Sequence, residues 1–135
     1  MPRHVTLVCG PPCAGKTTYV KQHAKRGDVV LDFDAIAHTL GSEANHDHSE
    51  EIWGETEALI RSAIARIGLA EDVTAWVIRC APRRAEREMW AARLRADETV
   101  LLIPPAPLLM QRARFRPRWT KRAIQRWFMR YTVAS

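Results

Sequence analysis

Cysteine is scarce in this chain, with Cys9, Cys13 and Cys80 the only three among 135 residues. An odd number without metal-ligand spacing argues against a disulfide framework and fits a reducing, cytoplasmic compartment. Long apolar runs are missing too. None approaches the ~20 residues that a bilayer-spanning helix needs, so no membrane partner is expected. The first apolar segment begins at Val5, and no signal peptide is expected ahead of it. There is no internal repeat and no low-complexity linker. Charge of one sign is absent over two long stretches. From Asp28 to Glu57 there are nine acids and no Lys or Arg, and from Thr99 to Ser135 there are eight bases and no acid. The net charge of +6 conceals this asymmetry. It suggests an anionic partner such as nucleic acid at the C-terminal part; the alternative is a solvated basic helix. At 47% hydrophobic and 27% charged, the composition is that of an ordinary soluble globular protein. The length suits a single domain, 1–135, with a modest core and no room for a second catalytic module.

What is present is one stretch with a mechanism, "GPPCAGKTTY", which follows the apolar run "HVTLVC". Gly10, four residues, then Gly15, Lys16 and Thr17 match the spacing of a phosphate-binding loop. The glycines permit backbone angles and a close anion approach that a Cβ would forbid. The main-chain N–H groups from Gly10 through Pro11, Pro12, Cys13, Ala14, Gly15, Lys16, Thr17 and Thr18 (the prolines excepted) are expected to cradle the phosphates of ATP or GTP. Lys16 would sit near the β- and γ-phosphates, Thr17 would ligate Mg²⁺, and the following helix would aim its positive end at the anion. The bland alternative is a Gly/Pro turn that binds nothing. Cys13, inside the loop, is either an oxidisable thiol near a helix terminus or a tolerated variable position.

The remaining pattern supplies the context that the loop requires. Strands are expected at Val5–Cys9, Asp28–Asp34, Val73–Cys80 and Thr99–Ile103. Helices are expected at Thr18–Arg26 with Gly27 ending it, at Glu50–Gly68, over the basic "RRAEREMWAARLRA", over "APLLMQRARFR", and over "TKRAIQRWFMRY" with Thr120 as cap. Alternating strands and helices predict an α/β fold with a small, mainly parallel four-stranded sheet flanked by helices. The third and fourth strands look apolar on both faces. Ligands in such folds bind at the carboxyl ends of strands, so the loop, "LDFD" and "RCAP" should meet in one cleft.

Transfer of a γ-phosphate needs a base near the attacking oxygen and positive charge on the transferring group. Asp34, read as ending the second strand beside the loop, is the candidate base. Asp32 is read as pointing to the other side of the strand, contacting the metal through water or capping the next helix. A plain strand-end turn is the alternative for both. "QRARFRPRW" sets Arg112, Arg114, Arg116 and Arg118 at alternate positions, which reads as a basic lid over the phosphates or as a solvated helix end. Trp53, Trp76 and Trp90 lie in apolar patterns and are expected in the core. Trp119 and Trp127 are expected in helix packing, with base stacking as the alternative. His38, His46, Asp47 and His48 lack the spacing of a closed metal site and read as a plain polar loop, with a catalytic or lid-like role as the alternative.

On "LVCGPPCAGKTTY", "LDFDAIAHTL" and "LIPPAPLLMQRARFRPRWTKRAIQRWFMRY", most of the chain resembles the kinase domain of the bacteriophage polynucleotide 5′-hydroxyl kinases and related small phage and prophage P-loop kinases. The resemblance implies a P-loop NTPase fold with a basic C-terminal lid and helix, Asp34 as general base, and lid arginines at Arg112 and Arg116. Two positions depart from that pattern. The family has an Arg three residues after the base where this chain has Ala37, and an Asp closing the third strand where it has Cys80, after Arg79. Both bear on how the acceptor is recognised. Two function classes follow. One is a kinase acting on a nucleic-acid 5′-OH, a nucleoside, a nucleotide or another hydroxyl compound. The other is a nucleotide-dependent accessory protein that uses its basic end to hold nucleic acid or a partner.

Overall fold

The computed structural model describes residues 2–41 and 49–131. Among the described residues four strands, β1 (His4–Cys9), β2 (Val29–Leu31), β3 (Thr74–Arg79) and β4 (Glu98–Leu101), form one parallel sheet in the order β2-β3-β1-β4. Six helices among the same residues cover it: α1 (Lys16–His23), α2 (Phe33–Thr39), α3 (Glu50–Leu69), α4 (Arg84–Leu94), α5 (Ala106–Ala113) and α6 (Trp119–Arg130). This is the α/β architecture, a small parallel four-stranded sheet flanked by helices, expected from the alternation of strand and helix patterns.

The central strand β1 is buried from Val5 to Cys9 because both its faces are covered. On one face Val5, Leu7 and Cys9 pack with Ile60, Ile64 and Ile67 of α3 and Trp90 and Leu94 of α4. The α3 residues recur at the 3–4 spacing that keeps them on one helix face. On the other face Val8 packs with Val20 of α1 and Ile78 of β3. A third cluster, Ala14, Leu109, Ala113 and Ile124, joins α5 and α6 to the segment after β1. Truncating Leu7 or Leu109, both fully buried, would cost about 2–5 kcal/mol.

The far end of the sheet is clamped by Arg3. Its guanidinium donates to the carbonyls of Ile67 and Ala70 at the end of α3, at 3.2 and 3.0 Å, and to Leu94 and Arg95 at the end of α4. One cation thereby satisfies orphan carbonyls at two helix C-termini, where positive charge is favoured. Gly68 was expected to end α3; it lies within the helix, and a Cβ there would come 2.2 Å from the Arg93 carbonyl oxygen. It therefore permits the close approach of α3 and α4.

Several boundaries differ from the sequence-based expectation. The second strand stops at Leu31, well before Asp34, because Asp32 turns the chain: its Oδ1 accepts from the Asp34 N–H at 3.1 Å and caps α2, a helix the hydrophobic pattern did not reveal. At the strand's start, Asp28 accepts from the Lys25 N–H at 2.8 Å and the Trp76 indole at 3.0 Å. Those donors, the Lys25 backbone first, hold the Asp28 carboxyl below its usual range. The first helix ends at His23, before Arg26 and Gly27, with Ala24 extended at its C-cap. α5 ends at Ala113, ahead of Arg116. Thr120 is not a cap; α6 begins at Trp119 with Arg118 at its N-cap. β4 is an edge strand with Glu98 and Thr99 exposed, so helices do not cover both its faces.

Candidate active site

The phosphate-binding loop follows from its backbone. Gly10 has φ 155°, and a Cβ there would lie 2.3 Å from the Leu102 carbonyl oxygen, because the chain leaving β4 bonds to the end of β1 (Leu102 N–H to Cys9 O, 2.9 Å). Cys13 (φ 66°) and Gly15 (φ 88°) are left-handed and turn the loop back on itself. Gly15 is the N-cap of α1 and no side chain caps that end, nor does any acid lie in the first turn, so its N–H groups point at the space where an anion would sit. The Lys16 ammonium folds over the loop, donating to the carbonyls of Gly10 at 2.7 Å and Pro11 at 2.8 Å, and lies 3.7 Å from the Cys80 sulfur. Cys13 is half-buried and Cys80 exposed, whereas Cys9 is sealed in the core and burial pushes its thiol up to about 12.

A cavity of about 550 Å³ opens beside the loop. Pro12 through Thr18 line one side, Asp32, Phe33 and Asp34 a second, and the end of β3 from Ile78 to Pro82 the floor. Trp53 and Glu57 of α3, Glu86 and Trp90 of α4, Arg116, and Trp119, Thr120 and Ala123 of α6 complete it. The floor carries backbone strain at its edge, since Ala81 has φ 31°. Its carbonyl accepts from Arg87 at 3.1 Å, and the Trp127 indole donates to the Cys80 carbonyl at 2.7 Å, tying α6 to the end of β3.

The structure brings the carboxylates to the loop by a route that differs from the expected one. β3 lies between β1 and β2, so the second strand does not run beside the loop's strand. Asp32 nevertheless reaches α1, where its Oδ2 accepts from the Thr17 hydroxyl at 3.2 Å. Asp32 and Asp34 were expected on opposite sides of a strand; both lie past the strand's end and line the same cavity. Residues two apart on a strand would in any case share a face. Thr17 and Asp32 together offer hard oxygen donors from one place, a set that suits Mg²⁺, which keeps several waters and takes few protein ligands. Among the described residues no group of three or more His, Cys, Asp or Glu could hold a metal on its own. His46, Asp47 and His48 lie outside the described residues.

The two lid arginines separate. Arg116 lines the cavity. Arg112, in the last turn of α5, donates to the Cys13 carbonyl at 2.8 Å and so holds the loop's backbone; it is not among the lining residues. Arg114 lies over the exposed Phe115 ring, 5.9 Å from its centre, and faces solvent. Of the tryptophans expected in the core, Trp90 is buried and Trp76 half-buried against Tyr19 and His23. Trp53 is 54% exposed and faces the cavity. Trp127 stacks on Tyr131 inside the helix packing, at 5.1 Å between ring centres.

Sequence reasoning missed Glu57 and the wall it anchors. The Arg79 guanidinium donates to both Glu57 carboxylate oxygens, at 3.0 and 3.4 Å, and stacks 4.6 Å above the Trp90 ring. The available signal was that Trp53 and Glu57 stand one helical turn apart on α3.

No helix among the described residues is long and apolar enough to cross a membrane. No curated protein matches the chain significantly. A family described as an AAA domain, AAA_33, matches residues 5–132. With its loop after β1, its parallel sheet and this match over nearly the whole length, the chain belongs to that family, which is P-loop NTPase-like and includes kinases.

Proposed function

We propose that the protein is a phosphotransferase that moves the γ-phosphate of ATP or GTP onto the hydroxyl of an acceptor: a nucleic-acid 5′-OH, a nucleoside or a nucleotide. The observation that carries this reading is the single cavity shared by Lys16, Thr17, Asp32, Asp34 and Arg116. A pure binding module has no need of a carboxylate and a guanidinium facing the same space as the phosphate loop. The resemblance of the lid and terminal helix to phage polynucleotide kinases supports the same class.

In this mechanism the loop N–H groups and Lys16 hold the β- and γ-phosphates, and Thr17 and Asp32 would hold Mg²⁺, which neutralises phosphate charge when bound. The acceptor oxygen forms its bond to the γ-phosphorus while the bond to the β,γ-bridging oxygen breaks, and the nucleoside diphosphate leaves. The acceptor's proton passes to the Asp34 carboxylate. Arg116 donates to the oxygens of the transferring group. Arg112 acts at one remove, holding Cys13 and therefore the curvature of the loop.

Nucleotide binding and phosphoryl transfer separate in the laboratory. Mg-ATP or Mg-GTP raises the melting temperature by several degrees, and Lys16→Ala abolishes the rise. Chromatography of labelled γ-phosphate over a panel of hydroxyl acceptors yields a phosphorylated product. A wild-type protein with no thermal shift would sink the nucleotide claim. Binding without transfer to any acceptor would favour the accessory-protein reading, which draws on the exposed Lys121, Arg122, Arg126 and Arg130 of α6 as a nucleic-acid contact.

A further inference from the structure

The acceptor side of the cavity carries a chemical signature that phosphoryl transfer alone does not require. Phe33 and Asp34 come from α2, Trp53 and Glu57 from α3, Glu86 and Trp90 from α4. The half-exposed Trp53 indole lies 5.8 Å from the Phe33 ring, tilted by 49°. The two form an open aromatic corner adjoining Asp34 in the chain, and its exposed indole is a surface on which a flat ring stacks favourably.

The charges of this wall select against a phosphate. Among the lining residues of this wall Asp34, Glu57 and Glu86 are acidic and Arg79 is basic. Arg61, outside the lining, also pairs with Glu57 at 3.5 Å, so the Glu57 charge is held by two arginines and like-charge repulsion comes from Asp34 and Glu86. The Arg79 guanidinium is bound to both Glu57 oxygens and stacked on Trp90, so its charge is matched inside the wall. Position 37 adds no cation, being a fully buried alanine. Of the other cavity cations, Lys16 is held against the loop carbonyls and Arg116 comes from the α5–α6 connection. A phosphate brought against this wall would lose water while facing carboxylates, which disfavours it by like-charge repulsion.

Resting on the phosphotransferase reading, we infer that the acceptor is a small hydroxyl compound with a flat, uncharged ring and no phosphate, of which a free nucleoside is the simplest example. The ring stacks on Trp53 and Phe33, and the hydroxyl turns toward Asp34. The hydroxyl oxygen bonds to the γ-phosphorus, the nucleoside diphosphate leaves, and the proton goes to Asp34.

The test is γ-phosphate transfer from Mg-ATP and Mg-GTP to adenosine, guanosine, cytidine, uridine and pyridoxine. Beside them run the matching nucleoside 3′-monophosphates and a 5′-hydroxyl oligonucleotide. The best uncharged acceptor is expected to exceed every phosphate-bearing one by at least about tenfold in kcat/KM. Trp53→Ala is expected to raise the acceptor KM by about tenfold while leaving the Mg-ATP thermal shift unchanged. Glu57→Gln, which unmatches the Arg79 charge, is expected to narrow the discrimination against 3′-phosphates. Transfer only to phosphate-bearing acceptors, or an unchanged acceptor KM in Trp53→Ala, overturns the inference and leaves the phosphotransferase reading standing. Absence of transfer to every acceptor, with the Mg-ATP thermal shift intact, overturns both.

Discussion

On the donor side the cavity is bounded by one continuous segment, Pro12 to Thr18, whose backbone shape is set by Gly10, Cys13 and Gly15. On the acceptor side it is bounded by side chains delivered by three separate helices, Phe33 and Asp34, Trp53 and Glu57, Glu86 and Trp90. A backbone cradle depends on a few residues at fixed spacing within one short segment. A side-chain wall depends on how helices far apart in sequence are docked. The donor side is therefore intolerant of added atoms, and on the acceptor side the exposed Trp53 is open to exchange at little structural cost while the buried Trp90 is not.

Substitutions that remove a reacting group while leaving both constructions standing should have the largest effects. Arg116→Ala is expected to lower turnover by ~10³ or more if its guanidinium serves the transferring phosphoryl group, with the melting temperature near wild type because the residue is exposed. Full activity in this variant, or an unfolded protein, would count against that role. Asp34→Asn keeps the shape and removes the basicity. Steady-state assays should show transfer reduced by at least ~10² with nucleotide affinity nearly unchanged. Asp32→Asn should behave differently, raising the Mg²⁺ concentration needed for activity, because its carboxylate stands on the Thr17 hydroxyl and caps α2.

Gly10→Ala probes the backbone side directly. With its Cβ 2.3 Å from the Leu102 carbonyl oxygen, the variant is expected to lose about 1–3 kcal/mol in denaturant titrations along with nucleotide binding. At neutral pH the thiols carry the smallest effect, which grows only in alkali. Cys9 has its pKa raised in the folded state, so its contribution to stability is complete below the ordinary thiol value of 9.0 and is lost as pH rises toward about 12. Thermal unfolding across that window should show a decline that Cys9→Ala removes. At neutral pH a thiol reagent should label Cys80 and Cys13 in the folded protein and Cys9 only after unfolding. Nucleotide should protect the first two, since both line the cavity.

Local chemistry determined what the sequence by itself revealed. The spacing of Gly10, Gly15, Lys16 and Thr17 defines the loop, because phosphate binding by backbone requires those residue types within one short segment. Alternating apolar strands and amphipathic helices, with Ile60, Ile64 and Ile67 on one face of α3, define the parallel α/β architecture. Asp32 and Asp34 stood out by position, although the strand assigned to them was too long: a carboxylate cap is a hydrogen bond, invisible to a hydrophobic pattern. Tertiary structure alone decided the rest. The order β2-β3-β1-β4 is a matter of long-range strand pairing, so it was not legible locally. The docking of α3 against α4, permitted by Gly68 and locked by Arg3, sets Glu57 on Arg79 and Arg79 on Trp90. The same docking leaves Trp53 facing the cavity instead of the core, because a helix carries its residues to whichever surface its buried face does not need. Arg112 and Arg116, equivalent in a sequence of alternating arginines, were parted by the end of α5 at Ala113, which turns one to the loop's backbone and the other to the cavity.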